Sequence, residues 1–368
     1  MARQAIPPDV LSLADYQRCA TNILPEPVLA YIEGGSGQEQ SLAHNTGAYS
    51  RWSIYNRLLV DCAGGTTRLE LPGASLAHPV LLAPVAHQGL IHPHAELACA
   101  RGAGACDALM VVSTLASRRL EDVAAVATGP LWFQLYFQPL RDATLNLLRR
   151  AENAGYAAIV VTLDAPVQTL SRAAQRAGFG FPAGQSGANL SAGPPPPVTL
   201  DERDSVVFQG MMSEAPGWDD LVWLLSRARI PLLIKGVSHP DDAARLRDLG
   251  AAGLVVSNHG GRTLDGAPAP LDTLPAIREH VGESFPLLVD GGIRSGQDVF
   301  KALALGANAI LIGRPQLHAL AVAGALGVAH MIKLLRDELE ITMALAGCPN
   351  LASITPDCLR PQAWQTPW

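Results

Sequence analysis

Ser257-Asn258-His259-Gly260-Gly261-Arg262 puts an imidazole and a guanidinium three residues apart on one short stretch. A histidine so placed can remove a proton, and an arginine beside it can hold a carboxylate through paired hydrogen bonds. Acid–base work on an anionic substrate follows. Two other stretches suit a phosphate, Asp290-Gly291-Gly292-Ile293-Arg294-Ser295-Gly296 and Gly313-Arg314-Pro315. Their glycines let backbone N–H groups approach an anion, and the arginines add charge. Asp164 is suited to orient a histidine and stabilise its protonated form, and Tyr136 adds a hydroxyl. Lys235 has two uses, as a buried cation beside a reduced cofactor ring or as the amine of a Schiff base. Each of these residues taken alone reads equally well as a satisfied polar residue, so the elements that carry them decide the matter.

Eight short apolar runs recur along the chain, at Val80 to Ala86, Leu109 to Thr114, Leu131 to Tyr136, Ala158 to Asp164, Pro231 to Lys235, Gly253 to Ser257, Pro286 to Asp290 and Asn308 to Gly313. They are too short for helices and lack polar alternation, which predicts strands buried on both faces. Helical segments lie between them, with Ala143 to Gly155, Asp241 to Gly250 and Gly296 to Gly306 each ending on glycine. The expected fold is α/β, a closed (β/α)₈ barrel, in which the C-terminal strand ends converge on one mouth. Each chemistry-bearing residue above falls at such an end, as do Val85, Ala86, Ser113, Gln134 and Thr162.

The remaining organisation is read around that barrel. A single domain spans 1–368, with helical segments in 1–79 (Leu11 to Leu24, Pro27 to Glu33, Glu39 to Tyr49) capping one end. The barrel occupies 80–345, and a tail 346–368. Phe179 to Gly217 is rich in Gly, Ser and Pro, includes Pro194 to Pro197, and reads as a lid-like loop between strands four and five. The hydrophobic share of 48% supports a large core, while a net charge of -6 without basic runs argues against nucleic acid. Cys19, Cys62, Cys99, Cys106, Cys348 and Cys358 show no C-x-x-C spacing, which argues against a zinc site or a disulfide framework and fits a reducing, cytoplasmic setting. No signal peptide is expected at Met1 to Pro8, and no membrane span, because apolar stretches are broken by Gly, Pro or charge.

With those residues in view, the chain resembles the FMN-dependent 2-hydroxy acid oxidases and dehydrogenases, such as glycolate oxidase, lactate oxidase, mandelate dehydrogenase and hydroxymandelate oxidase. Ser257 to Gly266 (SNHGGRTLDG) and Asp290 to Pro315 (DGGIRSG…ALGANAILIGRP) carry the resemblance, which runs from Leu24-Pro25 onward. It implies His259 as active-site base, Asp164 as its ion-pair partner, Tyr31 and Tyr136 as substrate binders, and Arg262 as holder of the substrate carboxylate. It implies FMN contacts at Val85, Ala86, Ser113, Gln134, Thr162, Lys235 and Ser257. The phosphate would lie on Gly292, Arg294, Gly313 and Arg314, in the loop opened by Asp290. It further implies a 2-hydroxy acid substrate, oxygen or a quinone-type acceptor, and a homo-oligomer, tetramer or octamer. No cytochrome module and no membrane-attaching insert are expected.

The chain departs from the family pattern at two positions. A second carboxylate-binding arginine usually stands seven residues beyond the fourth-strand aspartate, and counting from Asp164 gives Ser171, preceded by Leu170 and followed by Arg172. Leu115 stands where several members carry an aromatic residue. A larger apolar or aromatic substrate side chain, lined by Leu115, Ile32 and Phe137, is therefore expected. The competing readings are an FMN barrel turned to isomerisation or oxidative decarboxylation, and a flavoprotein that only binds.

Overall fold

The computed structural model describes residues 5–167, 171–182, 187–190 and 200–362. Eight parallel strands close into a barrel in chain order. They are β1 (Val80–Leu82), β2 (Met110–Ser113), β3 (Leu131–Leu135), β4 (Ala158–Thr162), β5 (Leu232–Val237), β6 (Gly253–Val256), β7 (Leu287–Asp290) and β8 (Ala309–Ile312). Ile310 of β8 lies opposite Val80 of β1, which completes the ring. Each of the eight expected runs overlaps a strand, and β5 continues two residues past its run, to Val237. Several of those runs continue at their mouth end into loop, as at Pro84, which has no N–H to give a ladder.

Side chains alternate across the barrel wall. Leu81, Val111, Trp132, Val160, Leu233, Val255, Leu288 and Leu311 fill the interior. Their neighbours, such as Leu82, Met110, Phe133, Ile159, Ile234, Val289 and Ile310, join the larger core beneath the outer helices. The antiparallel hairpin Leu69–Leu71 with Ala74–Leu76 adds Leu71 and Leu76 to the interior cluster. One step of two residues beyond the interior positions, towards the mouth, gives Ser113, Gln134, Thr162, Lys235, Ser257 and Asp290, all buried. The strand period thus converts an apolar filling into a polar layer at the mouth.

Three helices precede the barrel, α1 (Leu13–Thr21), α2 (Glu26–Glu33) and α3 (Gln40–Ser50). The capping role expected of this segment belongs to α2, α3 and the turn between them: Ser36 N–H donates to Gly261 O at 2.8 Å and the Tyr49 hydroxyl to Gly291 O at 3.1 Å. By contrast α1 lies along the C-terminal helix Arg314–Ala346, where the Tyr16 hydroxyl meets His330 Nδ1 at 2.9 Å. An 18-residue window of that helix is apolar enough, by length and composition, to cross a membrane. The helix is a core helix, 67% buried over that window and kinked at Ala323 and Gly324. The tail also differs from a loose end: Leu359–Pro361 pairs antiparallel with Trp52–Ile54.

The loop between β4 and β5 carries a short helix, Arg172–Arg176, that the sequence reading did not anticipate, and irregular turns from Val206 to Glu214. Pro194 to Pro197 and Leu170 lie outside the described residues.

Candidate active site

The loop after β6 lifts His259 to the mouth by an unusual backbone path. His259 has φ of +57°, and Gly260 and Gly261 follow at +64° and +74°. A non-glycine residue in the left-handed region is strained, and such strain collects at functional positions where surrounding contacts hold it. Here Ser257 Oγ accepts the His259 backbone N–H at 3.0 Å, and Asn258 exchanges two 2.8 Å amide bonds with Asn45 of α3.

The imidazole Nδ1 lies 2.9 Å from Asp164 Oδ1, and Nε2 lies 3.5 Å from the Tyr136 hydroxyl. Burial favours the neutral form of Asp164, but the charge and hydrogen bond of His259, with help from Lys235, outweigh it and hold the carboxyl below its ordinary value of 3.8. An ionised carboxylate only accepts, so the nitrogen facing Asp164, Nδ1, carries a proton, and Nε2 is the nitrogen that can exchange one on the Tyr136 side. Burial, with the charges of Asp164 and Tyr31 adding to it, pushes the Tyr136 phenol well up, so it stays a neutral donor.

Lys235 reaches 2.6 Å from Ser257 Oγ and 2.9 Å from Asp290 Oδ2. Burial alone would lower its pKa, but Asp290 and Asp164 outweigh burial and raise it. That is the reverse of what a Schiff-base amine needs, and it leaves a fixed buried cation. Ser257 consequently acts as a brace: its hydroxyl is taken by Lys235 and His259, and it does not line the cavity.

The cavity of about 400 Å³ opens over this layer. Of the residues singled out from sequence, Tyr31, Val85, Ala86, Ser113, Gln134, Tyr136, Thr162, Lys235, His259, Arg262, Asp290, Gly292, Arg294, Gly313 and Arg314 line it, while Asp164 stands behind His259. Phe137, expected in the substrate wall, does not line it and packs against the core instead, because the chain leaves β3 at Leu135 and no longer follows the strand's alternation.

The arginines are held by a device the sequence reading missed. Arg262 Nη1 donates to the carbonyls of Tyr31 (2.9 Å), Ile32 (3.2 Å) and Gly34 (2.9 Å). Arg314 donates to Ile32 O at 3.0 Å, Gly260 O at 2.9 Å and Gly34 O at 3.2 Å. Both therefore cap the C-terminal end of α2, where orphan carbonyls favour cations. Burial, then repulsion from Arg262 and Arg294, lowers Arg314 to about 10 against partial relief from Glu33 and Glu39. Three crowded guanidiniums call for an anion.

These residues fit FMN. Gln134 Nε2, Thr162 Oγ1 and Asp290 Oδ1 are buried without a hydrogen-bond partner among the described residues, as the polar edge of a flavin ring would require. At the phosphate end a Cβ on Gly292 (φ +81°) would fall 2.0 Å from Asn45 O, so only glycine lets α3 close over that loop.

Other cavity residues carried no motif in the sequence. His87 (φ +55°), Leu90, Ile91 and Phe181 line the wall beside the expected Leu115 and Ile32, with Phe181 against His87 at a 4.8 Å ring separation. Tyr31 stacks on Phe179 at 4.4 Å, and Phe181 meets both edge-on at 5.4 and 5.1 Å. Only the position of Phe179 and Phe181 in the expected lid hinted at this aromatic group.

Ser171 and Arg172 take structural places. The Ser171 hydroxyl caps the helix Arg172–Arg176 by accepting Ala174 N–H at 3.1 Å, and Arg172 is exposed. Neither lines the cavity.

The sequence profile described as FMN-dependent dehydrogenase matches residues 20–361. The chain belongs to this family. As a family member it is an FMN flavoprotein and an oxidoreductase of the 2-hydroxy acid oxidase class. An L-lactate oxidase of Alicycliphilus denitrificans is 56% identical over 97% of this chain and 98% of its own. A 4-hydroxymandelate oxidase of Amycolatopsis orientalis is 41% identical over 93% of this chain and 96% of its own. Among solved structures, mandelate oxidase with (S)-2-phenylpropionate superposes with a TM-score of 0.86 at 39% identity, covering 96% of this chain and 98% of that one.

Proposed function

We propose that this enzyme oxidises a 2-hydroxy acid with an apolar or aromatic side chain to the 2-oxo acid, passing the electrons to oxygen. The observation that carries the reading is the ionised Asp164 behind His259, which leaves Nε2 as a base beside Tyr136 and below an aromatic wall. Bound FMN would supply a two-electron acceptor for the alcohol carbon, held by Gln134, Thr162 and Lys235 at its ring and by Gly292, Arg294, Gly313 and Arg314 at its phosphate. Arg262 and Tyr31 would fix the substrate carboxylate. Nε2 of His259 would take the hydroxyl proton, and Asp164 would offset the imidazolium charge.

Phe181, Leu115, Leu90 and Ile91 support a bulky side chain, since they give the wall apolar area to bury. A second reading, L-lactate as substrate, is favoured by the relative named L-lactate oxidase at 56% identity. Anaerobic mixing of the holoenzyme with mandelate and with lactate separates the two: the true substrate bleaches the flavin at the lower concentration. Bleaching by neither would sink the oxidative reading and leave isomerisation, decarboxylation or simple binding. Reoxidation by air compared with a quinone decides the acceptor.

A further inference from the structure

The end of the C-terminal helix and the tail strand bring two thiols together. The helix stops at Ala346, Gly347 turns the chain with φ of +73°, and Cys348 is held by its N–H donating to Met343 O at 2.8 Å. The chain then loops through Leu351–Ser353 and returns at Cys358, whose carbonyl accepts Tyr55 N–H at 2.9 Å just before Leu359 pairs with Ile54. Cys348 Sγ and Cys358 Sγ are 3.7 Å apart. Both thiols also point at one carbonyl, Ser353 O, at 3.4 and 3.7 Å. The absence of C-x-x-C spacing argued against such a pairing, but the loop between the two cysteines folds back to create it.

We propose that Cys348 and Cys358 are a modification site, a dithiol that a hydroperoxide converts into an intramolecular disulfide pinning the C-terminal strand to the helix end. A disulfide needs its sulfurs about 2.05 Å apart, so the remaining closure falls to side-chain rotation between two anchored backbones. The two residues divide the chemistry. Cys358 is partly exposed, whereas Cys348 is 3% exposed, and burial and the contact with Cys358 push its thiol up to about 12. Cys358 therefore meets the oxidant first: its thiolate attacks hydrogen peroxide, the O–O bond breaks, and with one proton a sulfenic acid and water result. The sulfur of Cys348 then forms the S–S bond, its proton leaving with the sulfenic hydroxyl as a second water. Two thiols lose two electrons and peroxide gains them. An oxidase using oxygen would generate that peroxide itself, and the site rests on the proposed function only for this source.

The test uses the reduced wild-type holoenzyme, treated with added hydrogen peroxide, then denatured and alkylated. No Lys or Arg lies between Asp337 and Leu359, so both cysteines fall on one tryptic peptide. The expected product is that peptide lighter by two hydrogens and carrying no alkyl label, restored by dithiothreitol. Oxidised enzyme should also melt a few degrees higher, a gain that Cys358→Ser abolishes while hydroxy-acid oxidation is unchanged. Cys348→Ser should leave Cys358 as a sulfenic acid that dimedone traps. Full labelling after peroxide, over-oxidation of Cys358 beside a free Cys348, or a cross-link from either to Cys62 would each overturn the proposal. Because the oxidant is added, failure here is separable from failure of the acceptor assignment.

Discussion

Asp164 Oδ1 stands 2.9 Å from Nδ1 of His259, on the side of the ring away from the Tyr136 hydroxyl. The pair works because its members come from different loops, Asp164 just beyond β4 and His259 just beyond β6. Between them, Gly236 of β5 leaves space: a Cβ there would fall 2.4 Å from Asp164 Cβ.

Removal of the base is the most direct trial of that geometry. His259→Ala should stay folded and yellow, and its flavin should be reduced by substrate on the order of 10² to 10⁴ times more slowly. Asp164→Asn should act in the same direction, because the imidazolium loses its counter-charge. Stopped-flow reduction without oxygen measures both, and a normal rate in His259→Ala would show that another group takes the proton.

The Asp164 carboxyl also predicts a pH effect on stability. Its pKa is held below the ordinary 3.8 in the folded chain. A group whose pKa is depressed by folding stabilises the fold above its unfolded pKa and loses that contribution as pH falls through the lower folded value. Wild type should therefore exceed Asp164→Asn in melting temperature at pH 6, with the gap narrowing below about pH 4. A gap that stays constant down to pH 2 would mean that His259 does not hold Asp164 ionised.

Much of this site was legible in the sequence, for a physical reason. Strand period fixes which residues face inward, so Ser113, Gln134, Thr162, Lys235, Ser257 and Asp290 could be placed at the mouth from eight apolar runs. The loops obey no such period. Phe137 was misplaced because the chain leaves the strand at Leu135, and Phe181 and His87 were overlooked because nothing local aims a loop side chain. The grip of α2 on Arg262 and Arg314 joins residues more than two hundred positions apart, beyond the reach of spacing.

That grip bears on the cofactor. Arg314 is bound to three carbonyls, whereas among the described residues the one hydrogen bond that the Arg294 guanidinium makes is to its neighbour Ile293 O, at 2.9 Å. Arg294→Ala is accordingly the cleaner probe of phosphate binding. Loss of one charge-assisted hydrogen bond, roughly 1.5 to 3 kcal/mol, should weaken FMN binding by about tenfold to a hundredfold. Arg314→Ala should weaken it too and also lower the melting temperature, since the end of α2 loses its cap. Unchanged FMN affinity in both, measured by flavin fluorescence on dilution, would remove the phosphate from this loop.

Ser171 and Arg172 give the sharpest test of how the carboxylate is held. Arg172 is exposed on the first turn of its helix, so Arg172→Ala should change KM by less than about twofold, whereas Arg262→Ala should raise it at least tenfold. Ser171→Ala removes the cap on Ala174 N–H and should cost about 1 kcal/mol of stability with little effect on KM. Ser171→Arg faces a tighter constraint: Ser171 Oγ already lies 2.2 Å from where a Cβ on Gly34 would sit, so the longer side chain must displace the end of α2 or turn to solvent. An arginine that turned inward would tighten small acids such as lactate more than mandelate, because they have less apolar surface to bury in compensation. If Arg172→Ala instead weakens substrate binding as much as Arg262→Ala does, the loop closes further on the substrate than this arrangement shows, and the second guanidinium is Arg172 after all.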